Sequence, residues 1–220
     1  MLFKTHAALE SEKERNFYSK VFAGYYFNEL IPGYETRLHR LTSLLKNTST
    51  TTFNGPVTNS LKFEKESTHV TFDFHGYLLN EKTDRGELAD ILIEDISNNS
   101  TVAIEVKFLS DWKFEKDIVT ASKRLKALLD SKNVSSFVHV LLVTKSKLEG
   151  VKGAVNRADS QWKKLLDFKT DYPIVVLTWE EIADIIDGPE GKLVKHFINE
   201  HVTRSREDFR INARGLLELR

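Results

Sequence analysis

Apolar and polar residues alternate with a period of two along residues 86–112, GELADILIEDISNNSTVAIEVKFLSDW. Such alternation predicts two half-buried strands. The intervening Ser97-Asn98-Asn99-Ser100 predicts a turn, because Ser and Asn side chains bond nearby backbone and Asn tolerates positive φ. Alternation assigns Ile91, Ile93, Val102, Ile104, Val106 and Phe108 to one face, which must be buried. The other face carries Asp90, Leu92, Glu94, Ala103, Glu105 and Lys107. An even loop centred on Asn98-Asn99 sets Asp95 opposite Val102, Ile93 opposite Ile104, Ile91 opposite Val106 and Asp90 opposite Lys107. An odd loop would drive Asp90 among apolar side chains, and the pattern argues against it. Two carboxylates and one ammonium are therefore expected on a single small patch.

The remaining pattern supplies the elements around this hairpin. Ser11 and Glu14 form a capping box for an amphipathic helix bearing Phe17, Val21, Phe22, Tyr25, Tyr26 and Leu30, stopped by Pro32-Gly33. A second helix, about residues 34–46, presents Leu38, Leu41, Leu44 and Leu45, with Glu35 in its first turn and His39 one turn on. Residues 47–60, rich in Thr, Ser and Asn, read as loop or weak edge structure. Val70, Phe72 and Phe74 alternate with Thr71, Asp73 and His75 in a strand that should neighbour the hairpin. A helix is expected over 115–130 and another around 156–168. The continuous apolar runs 137–144 and 173–179 suggest strands buried on both faces. Thr178 and Glu181 form a further capping box, and a last helix spans about 192–201. This order predicts an α/β fold: a mixed central β-sheet flanked by α-helices, antiparallel at one side and crossover-connected at the other.

Composition narrows the class. With 220 residues, 40% hydrophobic and 29% charged, the chain is long enough to bury a core as one domain over 1–220. Its central part would be about 34–180, with an N-terminal helix and a C-terminal helical extension. The absence of cysteine excludes disulfides, thiolate zinc sites and cysteine nucleophiles. No stretch has the apolar length of a signal peptide or a membrane span, so a cytoplasmic protein without a membrane partner is expected. A net charge of zero means that affinity for nucleic acid must come from a local patch. It is also compatible with a homo-oligomer or a protein partner.

Asp90 on one strand, and Glu105 and Lys107 flanking Val106 on the next, place hard oxygen ligands beside a cation. Mg²⁺ needs few protein oxygens because it keeps several waters and takes phosphate oxygens. The Val106 side chain points into the core while its carbonyl lies near the same position. This D…ExK arrangement resembles the PD-(D/E)xK nuclease superfamily, whose restriction-endonuclease-like core also matches the order of elements between about 34 and 179. The resemblance implies that Asp90, Glu105 and the Val106 carbonyl hold Mg²⁺, with Mn²⁺ able to substitute, and that Lys107 assists catalysis. It further implies a glutamate from the preceding helix, for which Glu35 and Glu29 are the alternatives. Ala89 stands where the motif's proline would be, and Ser122, Lys123 and Arg124 where some branches carry glutamine.

Each residue also has a plainer reading. Glu105 and Lys107 could line a solvated strand face, with Asp90 in a cross-strand ion pair. Glu35 could simply favour a positive helix end. His39 fits a surface or satisfied histidine, and Trp112 fits packing at the sheet rim. The basic clusters Lys123-Arg124-Lys126 and 145–157 fit solvated faces, unless they lie beside the patch and track a phosphate backbone. A sheet covered on both sides would leave the hairpin charges half buried, which favours a site. The expected activity is metal-dependent hydrolysis of phosphodiesters, in DNA rather than RNA, by in-line attack of a metal-activated water. The alternative is a catalytically inactive nuclease-fold module that binds nucleic acid or a protein partner.

Overall fold

The computed structural model describes residues 30, 32–47, 52–53, 56–75, 87–107, 134–145, 148–153, 172–186, 188–189, 191–192, 195–196 and 199. The expected helices at 11–30, 115–130 and 156–168, with Glu29, Trp112 and the cluster at 123–126, lie outside these residues, as does most of the last helix.

Helix α1 (Tyr34–Asn47) begins at Gly33, whose φ of 85° is comfortable only without a Cβ. Arg37 closes that junction, donating its backbone N–H to the Gly33 carbonyl and Nη1 to the Pro32 carbonyl. The sheet contains β1 (Thr52–Phe53), β2 (Thr68–His75), β3 (Glu87–Asp95), β4 (Ser100–Lys107), β5 (Ser136–Val143) and β6 (Ile174–Thr178). Its order is β1-β6-β5-β4-β3-β2. The β2-β3-β4 side is antiparallel, β4-β5-β6 is parallel, and β1 pairs antiparallel with β6. The fold is α/β with a mixed sheet, as the pattern predicts.

Every residue of β5 and β6 is buried, which fits their unbroken apolar sequence. On one face, Leu38, Leu41 and Leu45 of α1 pack with Ile91, Ile93, Val102, Ile104 and Val106. Helix α2 (Trp179–Asp184) adds Trp179, Ile182 and Ala183 to the same cluster. Thr178 caps α2 through the reciprocal bonds with Glu181 that its sequence predicts. The opposite face, which carries Asp90, also buries Leu92, Ala103, Leu141, Ile174 and Val176.

The hairpin register departs from the expected one by two residues. Asp95 pairs with Ser100, Ile93 with Val102 and Ile91 with Ile104. Four residues, 96–99, make the turn. Its length is set by Asp95, whose Oδ1 accepts the Asn98 N–H at 2.8 Å, and by Asn99, which adopts φ 47°. A shift of two preserves parity, so Ile91, Ile93, Val102, Ile104 and Val106 stay on one face and Asp90, Leu92, Glu94, Ala103 and Glu105 on the other, while their cross-strand partners change.

Candidate functional site

Extending the ladder one residue past Ile91↔Ile104 sets Asp90 level with Glu105, rather than with Lys107. Ordinary pairing gives way there: the Val106 N–H donates to Oδ2 of Asp90 at 2.5 Å. A short bond from an amide to a carboxylate is charge-assisted, and it fixes the Asp90 side chain against the peptide that carries Val106. Val106 itself is buried in the core cluster, as expected. Lys107 closes β4 and is level with Val143 of β5.

Asp90 and Glu105 are half-buried. Glu105 is paired with Leu141, and Leu141 with Val176, both completely buried. Two carboxylates at the edge of an apolar row need a compensating cation or donor, since charged groups are rarely taken out of water without one.

The structure brings Asp90 and Glu105 together; Glu35 does not join them. Glu35 is exposed in the first turn of α1, and that helix packs on the face opposite the two carboxylates. Among the described residues no group of three or more His, Cys, Asp or Glu is placed to hold a metal ion. The fit to Mg²⁺ therefore rests on two carboxylates and an adjoining peptide, a donor set that leaves positions for water and phosphate oxygens. His39 is exposed on α1, away from this patch.

Two features of this region escaped the sequence. One is His139 of β5, on the same face as the carboxylates and paired with Ala103 and Ile174. It is 1% exposed, its Nδ1 has no hydrogen-bond partner, and its ring lies 6.5 Å from that of Tyr172. Burial holds its pKa down from 6.5 to about 4. The unfolded chain thus binds a proton that the folded chain refuses, and stability should fall as pH drops from 6.5 towards 4. The loss should reach roughly 2 kcal/mol near pH 5. Urea titrations between about pH 7 and pH 5 should show this slope, and His139→Leu should flatten it. An equal slope in that variant would assign the acid sensitivity elsewhere. The apolar run around it predicts burial, but that Nδ1 finds no partner is revealed only by packing.

The second feature is a cleft of about 480 Å³ at the other end of the hairpin, lined by His69, Glu94, Ile96, Thr101 and Val134 among others. Its walls come from β2, β3, the turn, the start of β4 and the segment before β5, and the β2 register that sets His69 level with Glu94 is not readable from the chain.

Among the described residues no helix is long and apolar enough to cross a membrane. A scan against protein-family models gives no match, and searches of the curated proteins and of the solved structures give none either.

Proposed function

We propose that the chain is a metal-dependent nuclease with a restriction-endonuclease-like core, hydrolysing phosphodiester bonds in DNA. The observation that carries this reading is the placement of Asp90 and Glu105 side by side on one sheet face, with Asp90 tied to the Val106 peptide. The antiparallel trio followed by a parallel crossover strand supports it, because this topology puts D…ExK on neighbouring strands.

In this reading Asp90, Glu105 and the Val106 carbonyl would hold Mg²⁺, with Mn²⁺ as a substitute; Glu35 is on the other face of the sheet, which leaves Glu29 as the glutamate that would complete the set. When bound, the ion supplies positive charge to the phosphodiester and lowers the pKa of a coordinated water. Asp90 orients the Val106 peptide through its N–H, so the strand end is held still while substrate binds. Leu141 and Val176 exclude water from the β5 side of the carboxylates, which strengthens their electrostatic interactions. Lys107, two residues past Glu105 and of the same parity, orients the attacking water or offsets charge growing on phosphorus.

The test is cleavage of linear duplex, circular duplex and single-stranded DNA and of RNA, with Mg²⁺ or Mn²⁺ against EDTA. Cutting of DNA that stops with EDTA is the expected result. A chain that binds nucleic acid without cutting any of the four would instead be the inactive module.

A further inference from the structure

At the turn end of the sheet, directly opposed residues put a histidine, a carboxylate and a hydroxyl in one line. His69 of β2 pairs with Glu94 of β3, and Glu94 with Thr101 of β4. With about 4.8 Å between strands, the row spans roughly 10 Å. It lines the cleft of about 480 Å³, to which Ile96 and Val134 add apolar wall. Thr101 is 3% exposed, yet its hydroxyl has no hydrogen-bond partner among the described residues. A buried hydroxyl in that state costs stability until water or a ligand bonds it. Charge is the second observation: the described lining holds the carboxylates of Glu94 and Asp95 and no lysine or arginine. Asp95 contributes field rather than contact, since Glu64 N, Asn98 N and Ser67 Oγ already engage its oxygens. Glu94 is half-buried, and a carboxylate has about four lone-pair sites, so it can accept from a ligand beside the contacts it already makes.

We infer that this cleft binds an organic cation, an ammonium or guanidinium group carried on an apolar stem. The head donates to the Glu94 carboxylate and to the Thr101 hydroxyl, and the first of these bonds is charge-assisted. The stem packs on Ile96 and Val134. The volume lies within the range of about 300–1,000 Å³ typical of small-molecule sites, and far above that of an ion. A bare metal would find only His69 and Glu94, and among the described residues no group of three or more His, Cys, Asp or Glu is placed to hold one. A phosphate would meet two carboxylates and no lysine or arginine. The site is separate from the proposed nuclease centre and does not depend on it: Leu92 and Ala103, both completely buried, lie between this row and Asp90 and Glu105 on the same face.

The experiment titrates the full chain with n-butylguanidinium, followed by calorimetry and by backbone-amide NMR. Binding with amide shifts centred on Glu94, Ile96, Thr101 and Val134 is the expected result. Glu94→Gln should weaken it roughly tenfold or more and Thr101→Val about fivefold, with both melting temperatures near that of wild type. Glu66→Gln, which neutralises an exposed carboxylate of the 3-10 turn outside the cleft lining, should leave affinity unchanged. Butyrate and 1-butanol, which carry a similar stem without the cation, should bind far more weakly. An arginine-bearing tripeptide, acetyl-Leu-Arg-Leu-amide, distinguishes the source: tighter binding than n-butylguanidinium assigns the cation to an arginine of a partner chain, and weaker binding to a free small molecule. The inference is overturned by no binding of either cation at millimolar concentration, by equal binding of 1-butanol, by unchanged affinity in both Glu94→Gln and Thr101→Val, or by shifts centred elsewhere. Zn²⁺ bound at this row more tightly than either organic cation would make it a metal site instead.

Discussion

Asp90→Asn and Glu105→Gln should each reduce metal-dependent cleavage by about 100-fold or more while leaving the fold intact. Both exchanges keep the shape of the side chain and remove its charge, and charge is what would hold a divalent cation. At Asp90 the amide retains an oxygen that can accept the Val106 N–H, so the strand end stays closed and the melting temperature should hardly move. Asp90→Ala separates the two roles. It loses activity to the same extent and also leaves that N–H without its acceptor, which should cost about 1–2 kcal/mol. Lys107→Ala should match the loss of activity without the loss of stability. Initial rates with Mg²⁺ and thermal melts of the four variants are sufficient. Metal-dependent cutting that survives in Asp90→Asn would remove that residue from the proposed role, and a large drop in its melting temperature would make it structural.

The largest expected effect on stability belongs to Asp95, at the other end of the same strand. It is 1% exposed and accepts from Glu64 N at 2.6 Å, Asn98 N at 2.8 Å and Ser67 Oγ at 2.9 Å, with Thr68 Oγ1 at 3.4 Å. One carboxylate therefore fastens the hairpin turn, the 3-10 turn at Lys65–Ser67 and the start of β2. Asp95→Ala should destabilise the chain by about 3 kcal/mol, since it leaves several donors unpaired in the interior. For a chain of this size that is a fall of roughly 10 °C in Tm.

The pH dependence has a definite sign. Burial pushes the Asp95 carboxyl up, but the Glu64 and Asn98 amides and the Ser67 hydroxyl outweigh it, leaving the pKa below 3.8. The stabilisation is thus complete above the unfolded value and is lost as pH falls through the lower folded one. Denaturant titrations of wild type and Asp95→Ala should differ most near neutrality and converge in acid. A constant difference at all pH values would mean that the charge is not what matters.

Asp95 also shows why part of the hairpin was legible in the chain and part was not. Alternating Ile and Val between charged residues dictates which side chains share a face, because an error of one would bury Asp90 and Glu105 among the apolar side chains of the other face. An error of two has no such cost, since each side chain keeps its face. The choice between registers falls to the turn, where the Asp95–Asn98 bond and the positive φ of Asn99 select four loop residues. An aspartate ending a strand ahead of Ser-Asn-Asn is a turn signal in itself, and it points to the shorter, four-residue loop.

The same distinction runs through the rest of the molecule. Continuous apolar runs sufficed for β5 and β6, because only a sheet covered on both sides can bury such strands completely. The Thr178–Glu181 box likewise needs only four consecutive residues, and α1 needs only the spacing of its leucines. The order of amino acids alone dictates the α/β class, the mixed sheet, the two hairpin faces and the sharing of one face by Asp90 and Glu105. These follow from local periodicity, which a linear pattern records in full. It takes the packed chain to set Asp90 level with Glu105, to seat its carboxylate on the Val106 amide, to put α1 on the face away from Asp90 and Glu105, and to leave the buried His139 without a partner for Nδ1. Each of these depends on how separate segments meet, and that is set by turn geometry and packing rather than by the period of any one segment.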